Sequence, residues 1–168
     1  YTLRYTLSLH DALPILTVSV ADVAPAISSG AAGGVTEGAA AGTTVYTAAA
    51  SDVAGGTVSY SLSGTDAGSF SINSSTGVVT INAIPNFEAK SSYSIDVVAS
   101  DGTLTSTKAV TVSVADVAPA ISSGAAGGVT EGAAAGTTVY TAAASDVAGG
   151  TVSYSLSGTD AGSFTIDA

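Results

Sequence analysis

The sequence predicts an all-β protein made of sandwich modules in tandem, and three features support this prediction. Residues 17–70 recur without a change as residues 111–164, an offset of 111 − 17 = 94 residues. A period of roughly 100 residues is the length of one small β-sandwich domain. Apolar residues alternate with polar ones in several short segments, most clearly at Tyr93, Ile95, Val97 and Ala99, which is typical of half-buried strands. Gly, Asp and Ser clusters separate these segments and indicate turns.

The elements of one module follow in chain order. Thr-Val-Ser-Val at 17–20 reads as the end of a last strand, and Pro25 marks a linker because proline lacks a ladder donor. Gly77 lies in a predicted hairpin loop, where glycine tolerates positive φ. The predicted strand segments are Ile27 and Val35 on either side of a Gly/Ala loop, then 43–50, 57–62, 70–72, 79–81, 93–99 and 109–114. Seven short strands in this order predict an immunoglobulin-like Greek-key β-sandwich.

Four segments are expected along the chain. Residues 1–16 form a leader outside the repeat, 17–20 end a preceding module, 21–114 form a complete module, and 115–168 form a truncated second module. Within the leader, 5–15 (YTLSLHDALPI) resemble a translated sequencing adapter. The alternative is a cleaved signal peptide, although the segment lacks a basic region followed by an apolar run and a small-residue cleavage site. Neither Arg4 nor His10 is therefore used as a functional residue.

Composition argues against several classes of function. The net charge of −10 repels nucleic acid and anionic lipid and attracts cations. No apolar run reaches the length of about 18 residues that a membrane span needs, so no direct span is expected in this fragment. The chain has no Cys, and its single His lies in the leader. No phosphate-binding glycine motif leads from a strand into a helix, so the sequence predicts that the protein is not an enzyme.

The module also resembles a known family. The order of its motifs is similar to that of cadherin repeats, which are Ig-like β-sandwiches. The matching residues are Glu37, Ala50-Ser51-Asp52, Val58 to Leu62, Phe70 to Asn73 with Thr76 to Val79, Asn86-Phe87-Glu88, Tyr93 to Gly102, and Val112 to Pro119. The resemblance covers the complete module and extends into the truncated copy.

This resemblance implies Ca²⁺ sites at the joints between modules, since Ca²⁺ prefers carboxylate and carbonyl oxygens. At the far end of the first module, the implied ligands are Glu37, Asn86, Glu88 and Asp116, with Asp146 of the second copy meeting them across the linker. At the near end they are Asp22, Asp52 and Asp101.

Some residues depart from the family pattern. Asn86 stands where the family usually has Asp, Ala54 and Ala148 replace a second Asp, and the linker 116–119 lacks the family's Asn-Asp-Asn. The remaining ligands suffice for one ion rather than three. Two alternatives stay open: Asp52 and Asp101 cap turns, and Glu37 and Glu88 are solvated surface acids.

The function implied by the resemblance is cell adhesion. We expect a calcium-binding repeat of a secreted or surface-anchored bacterial adhesin, extracellular, with identical modules as neighbours. Adhesion partners would be the same protein on another cell or a host or surface ligand. The alternative is a metal-free structural spacer whose acids keep a long array soluble. We also expect the truncated copy to be poorly packed, with Tyr154 and Phe164 more exposed than Tyr60 and Phe70.

Overall fold

The computed structural model describes residues 18–167. The predicted leader, Thr17 and Ala168 lie outside the described residues. The first module contains nine strand segments: β1 (Ala26–Ile27), β2 (Ala32–Thr36), β3 (Thr44–Thr47), β4 (Ala50–Ser51), β5 (Ser59–Ser63), β6 (Phe70–Ile72), β7 (Val78–Ile81), β8 (Ser92–Ser100) and β9 (Thr105–Ala115). The second block adds β10 (Ala120–Ile121) and β11 (Ala144–Ser145). One-turn 3₁₀ helices lie at Ala67–Ser69 and Ala161–Ser163.

The strands of the first module form two facing sheets. One sheet has the order β2-β9-β8-β5, the other has the order β3-β7-β6, and β1 pairs with β4 beside them. All pairs in these sheets are antiparallel except β2 and β9, which run parallel. The predicted all-β sandwich is confirmed. In the part of the chain that is described, no helix is long and apolar enough to cross a bilayer.

The core lies between the two sheets and follows the alternation of the sequence. Residues 95, 97 and 99 of β8 and residues 110, 112 and 114 of β9 point inward and are buried. The facing sheet contributes Val45, Val79, Ile81 and Phe70. The Phe70 ring meets the Tyr93 ring edge to face, with 5.2 Å between centroids and 87° between planes, an arrangement that aromatic pairs favour.

Nine segments correspond to seven predicted strands because two strands are interrupted. The first strand pairs with β4 as β1 and, after Gly30, joins the four-stranded sheet beside β9 as β2. The second breaks between β3 and β4, where Ala48 donates its N–H to the carbonyl of Gly77 at 2.9 Å. The prediction for 57–62 was wrong at its ends, since β5 covers Ser59–Ser63. A register shift within β3 also buries both Val45 and Tyr46, which strict alternation does not predict.

The second block repeats only the local part of this fold. The pair β10 and β11 reproduces β1 and β4 with the same register. Segments that match β3 and β5 are not strands there, because β3 pairs with β7 and β5 pairs with β8, and the described part of the second block contains no counterpart of β7 or β8. Phe164 is 52 % exposed against 5 % for Phe70, as expected. Tyr60 and Tyr154 both remain half-buried, and each hydroxyl accepts a hydrogen bond from the amide ten residues earlier.

Candidate metal centre

Three acids of the first module meet at its far end. Oxygen atoms of Glu37, Glu88 and Asp116 all lie within 4.8 Å of one another. Glu37 follows β2 and Asp116 follows β9, and these parallel strands end side by side because Thr36 pairs with Ala115. Glu88 comes from the connection between β7 and β8. The parallel pairing therefore brings together acids that are 79 residues apart, from 116 − 37.

Glu37 is the most buried and most firmly positioned acid of this group. Its side chain is buried, with 3 % of the residue exposed. One carboxylate oxygen accepts a hydrogen bond from the Val117 amide at 2.7 Å, and the other accepts one from the Phe87 amide at 3.1 Å. These two bonds hold the pKa of Glu37 below its ordinary value, and burial opposes them only in part. The alternative that Glu37 is a solvated surface acid is therefore wrong, whereas Glu88 is exposed.

Asp116 has the opposite electrostatic environment. Although the residue as a whole is exposed, loss of water around its carboxyl raises its pKa, and the neighbouring carboxylates of Glu37 and Asp146 raise it further. Like charges this close disfavour a second ionised group. A cation among these carboxylates would remove that penalty.

Asp146 reaches the same region from the second block. A Cβ placed on Gly150 would lie 3.1 Å from Cδ of Glu88 and 3.3 Å from Cγ of Asp146, so the two carboxylates flank one glycine. The Asp146 carboxylate also accepts a hydrogen bond from the Ala148 amide at 3.1 Å. Four acids from both sides of the linker therefore face one region: Glu37, Glu88, Asp116 and Asp146.

Asn86 bridges the joint in a different way. Its Nδ2 donates to the Ala148 carbonyl at 2.9 Å, across the linker. Its Oδ1 accepts from the Ala89 amide at 2.6 Å and so caps the turn that carries Glu88. The side-chain oxygen keeps one lone pair, which leaves Asn86 able to ligate a cation.

The predicted near-end acids are not gathered in the same way. Among residues 18–167, the structure does not place Asp22, Asp52 and Asp101 in a group comparable with the far-end one. One oxygen of Asp52 accepts from the Ala54 amide, and one oxygen of Asp101 accepts from the amides of Thr103 and Leu104. Turn capping is thus present. The other oxygen of each carboxylate is buried without a hydrogen-bond partner among the described residues. Asp22 is exposed.

The residues at the far end suit a hard cation. All of the side-chain donors are oxygen atoms, and three of them are carboxylates within 4.8 Å of one another. Ca²⁺ takes about 6 to 8 oxygen ligands, commonly carboxylates, carbonyls and waters. The donor set and its unfavourable charge both fit a single Ca²⁺ ion.

Comparison with known proteins gives the family. The family described as Cadherin domain matches residues 32–115, which is 84 of the 168 residues. The chain belongs to the cadherin family. The resemblance predicted from the sequence is thereby confirmed, and the match spans β2 to β9, including the strands that end at Glu37 and Asp116.

Solved cadherin structures share the fold. Human protocadherin-24 EC1-2 matches with a TM-score of 0.57 and 22 % identity, covering 75 % of this chain and 61 % of that one. Drosophila N-cadherin EC1-3 gives 0.52 and 24 %, covering 57 % and 35 %. Mouse cadherin-23 EC22-24 gives 0.50 and 26 %, covering 74 % and 44 %. The chain thus spans less than two thirds of each of these proteins. A search of curated proteins finds no match.

Sequence reasoning missed several groups at the joint. The amides of Phe87 and Val117 fix Glu37, and the carbonyl of Ala148 receives Asn86. Backbone groups carry no side-chain signature, so no motif marks them. The close approach of Glu88, from the first module, to Gly150 of the second block was also missed, although a glycine that occurs in both copies of the repeat is the type of residue that permits it.

Proposed function

We propose that this chain is a calcium-binding segment of an adhesion protein, in which Ca²⁺ stiffens the joint between successive modules. The observation that carries this proposal is the convergence of Glu37, Glu88 and Asp116 within 4.8 Å, with Asp146 approaching from the second block. Carboxylates gathered at a joint repel one another unless a cation bridges them. Bridging ties the two modules together and restricts their relative motion.

The residues have distinct roles in the proposed site. Glu37 is a fixed ligand, because its position is set by the Val117 and Phe87 amides. Glu88 and Asp116 adjust around the ion, and Asp146 contributes the ligand from the second block. The oxygen of Asn86 completes the set on the side of the first module. The bound ion supplies positive charge and oxygen coordination, and no reaction is catalysed.

An equivalent half-site is proposed at the near end of the first module. It consists of Asp22, Asp52 and Asp101, and its other half would come from a preceding module. The buried, unpaired oxygens of Asp52 and Asp101 support this assignment, because an ion delivered by the neighbouring module would satisfy both.

At the level of the whole protein, we propose a secreted or surface-anchored bacterial adhesin that acts outside the cell. Membership of the cadherin family, the exact tandem repeat and the acidic, Cys-free composition support this proposal. One structural neighbour, protocadherin gamma B4, is described as an extracellular domain. The partners would be identical modules in the array, and either the same protein on another cell or a surface ligand.

The test is a calorimetric titration of Ca²⁺ into the chain, combined with melting curves in chelator and in millimolar Ca²⁺. We expect about one ion per joint, from the number of carboxylates available, and a higher melting temperature with Ca²⁺. Asp146→Asn is the decisive variant, because asparagine keeps the cap on the Ala148 amide and removes the charge.

The repeat provides a matched control. Asp52 is the counterpart of Asp146, since 146 − 52 = 94, and it also accepts from the amide two residues later. Asp52→Asn should leave the joint's calcium binding unchanged, whereas Asp146→Asn should abolish the heat and the shift in melting temperature. Absence of binding by the unmodified chain would favour the alternative, a metal-free structural spacer.

A further inference from the structure

The two modules also touch through groups that are not metal ligands. A Cβ placed on Gly38 would lie 2.7 Å from Cγ2 and 3.1 Å from Cγ1 of Val147, so the valine side chain rests directly on the glycine backbone. Gly38 has a φ of +72°, and its amide donates to the Pro85 carbonyl at 2.9 Å. The contact therefore joins a fixed point of the first module to a loop of the second, and any larger residue at 38 would force them apart.

The second contact is the hydrogen bond from Asn86 to the Ala148 carbonyl at 2.9 Å. Both partners are held in place by their own modules. Asn86 is fixed through its Oδ1, which caps the Ala89 amide, and Ala148 is fixed through its amide, which donates to Asp146. Since neither group needs to be reordered when the joint closes, little conformational entropy opposes the bond.

These contacts give a reason for two departures from the family pattern. With Asp at both 86 and 148, the two sides of the joint would carry two more negative charges, which repel when no cation is bound. Here an amide faces a carbonyl instead, and that pair attracts at any calcium concentration. We propose that Asn86, Gly38 and Val147 form a metal-independent latch that holds successive modules together.

The latch also defines an interaction surface on the first module. Val53 is the counterpart of Val147, since 147 − 53 = 94. It is 85 % exposed, against 59 % for Val147. Its loop has the same sequence as the loop that docks at the joint, so it presents the same valine and the same carbonyl. The partner that fits this surface is the far end of a preceding module with Gly and Asn at the positions of Gly38 and Asn86.

The latch can be tested by measuring the orientation of the modules in chelator, where metal plays no part. The chain has no Cys, so spin labels attached to Thr107→Cys in the first module and Ser153→Cys in the second are unique. Both positions are exposed. Double electron–electron resonance then gives the distribution of distances between the labels, and this distribution broadens when the joint opens.

Two variants remove the latch with little effect on either module. Asn86→Asp keeps the oxygen that caps the Ala89 amide and loses the donor to Ala148. Val147→Ala removes the contact with Gly38. For each we expect the ratio of open to closed joints in chelator to rise about tenfold, which corresponds to 1.4 kcal/mol. For Asn86→Asp this lies in the range for the loss of one hydrogen bond, which here is part-buried.

The repeat again provides matched controls. Val53→Ala makes the same change at a valine that is 85 % exposed and should leave the distribution unchanged. Gly38→Ala and Gly132→Ala both place alanine at positive φ, but nothing lies within 4 Å of a Cβ on Gly132, so only Gly38→Ala should broaden the distribution. Equal distributions for Val147→Ala and Val53→Ala in chelator would overturn the latch.

The latch is additional to the proposed calcium site, and each of the two proposals can be refuted without the other. A closed joint in chelator that opens in Val147→Ala but not in Val53→Ala supports the latch whether or not calorimetry detects Ca²⁺. A joint that is equally open in chelator for the unmodified chain and for Asn86→Asp refutes the latch, even if Ca²⁺ then closes it.

Discussion

Phe70 and Phe164 allow the contribution of the middle strands to be measured within one molecule. The two residues are 94 positions apart (164 − 70) and lie in identical local sequence. Phe70 is 5 % exposed and packs on Tyr93, whereas Phe164 is 52 % exposed. If the sandwich is completed by the strands β7 to β9, Phe70→Ala must destabilise the first module much more than Phe164→Ala does.

The expected magnitudes follow from burial. Truncation of a fully buried Phe costs about 3 to 5 kcal/mol, including the cavity left behind. Burial of a whole Phe side chain stabilises by about 1.5 to 3 kcal/mol, so truncation of one that is half exposed loses about half of this. Neighbouring residues that are not tightly packed can also move into the gap, which reduces the loss further. We therefore expect about 3 to 5 kcal/mol for Phe70→Ala and about 1 kcal/mol or less for Phe164→Ala, the latter outside the first module.

Urea denaturation followed by circular dichroism measures this difference. With a slope of about 1.5 kcal/mol per M for a domain of this size, Phe70→Ala should lower the midpoint of the main transition by roughly 2 M or more. Hydrogen exchange at Ile95 and Val97, in the buried strand β8, assigns that transition to the first module. Equal losses for the two variants would refute the reasoning, because they would mean that residues 71–115 add nothing to the burial of Phe70.

Two further predictions concern the joint and a hairpin. In chelator at pH 7, Glu37→Gln should lower the melting temperature and Asp116→Asn should raise it. The pKa of Glu37 is lowered in the folded chain, so the effect of Glu37→Gln should fade as the pH falls below the ordinary carboxyl range near 4. The pKa of Asp116 is raised, so the effect of Asp116→Asn should already fade above that range and be absent below it. Effects of the same sign at pH 7 would contradict this. In urea denaturation, Gly77→Ala should lower the free energy of unfolding by about 2 kcal/mol more than Gly102→Ala does. Both glycines have positive φ, but only a Cβ at 77 would clash, at 2.5 Å from the Ala48 carbonyl oxygen. Equal losses would show that the hairpin can shift to make room.

Much of the fold could be predicted from the sequence because its signals are local. The alternation at Ile95 and Val97 marks the inward face of a strand, and both residues are fully buried. The hairpin glycine at 77 has the positive φ expected for its turn. The Gly/Ala loop between Ile27 and Val35 indicates an interruption of the first strand, but the sequence could not predict that β1 pairs with β4 whereas β2 pairs with β9. The burial of both Val45 and Tyr46 likewise comes from a register shift against β7.

The candidate site was predicted in its composition but not in its arrangement. The family pattern indicates the acids, and the structure brings Glu37, Glu88 and Asp116 together. The opposite pKa shifts of Glu37 and Asp116 could not be predicted, because they arise from backbone amides and from neighbours distant in sequence. The direct hydrogen bond from Asn86 to the Ala148 carbonyl could not be predicted from the sequence, in which Asn86 is an implied ligand in place of Asp and Ala148 is a lost one.

The sequence by itself determined the module length, the all-β class, the family and the acids available at each end of the module. Local chemistry suffices for these properties, and the second block shows how far it extends: β10 and β11 form, as does the hydrogen bond from the Ala144 amide to Tyr154. Tertiary structure decided the rest. Residues 26–70 and 120–164 are identical but differ in burial, because only the first copy packs against β7 to β9. A core or a metal site requires groups that the chain can bring together only when those strands are in place.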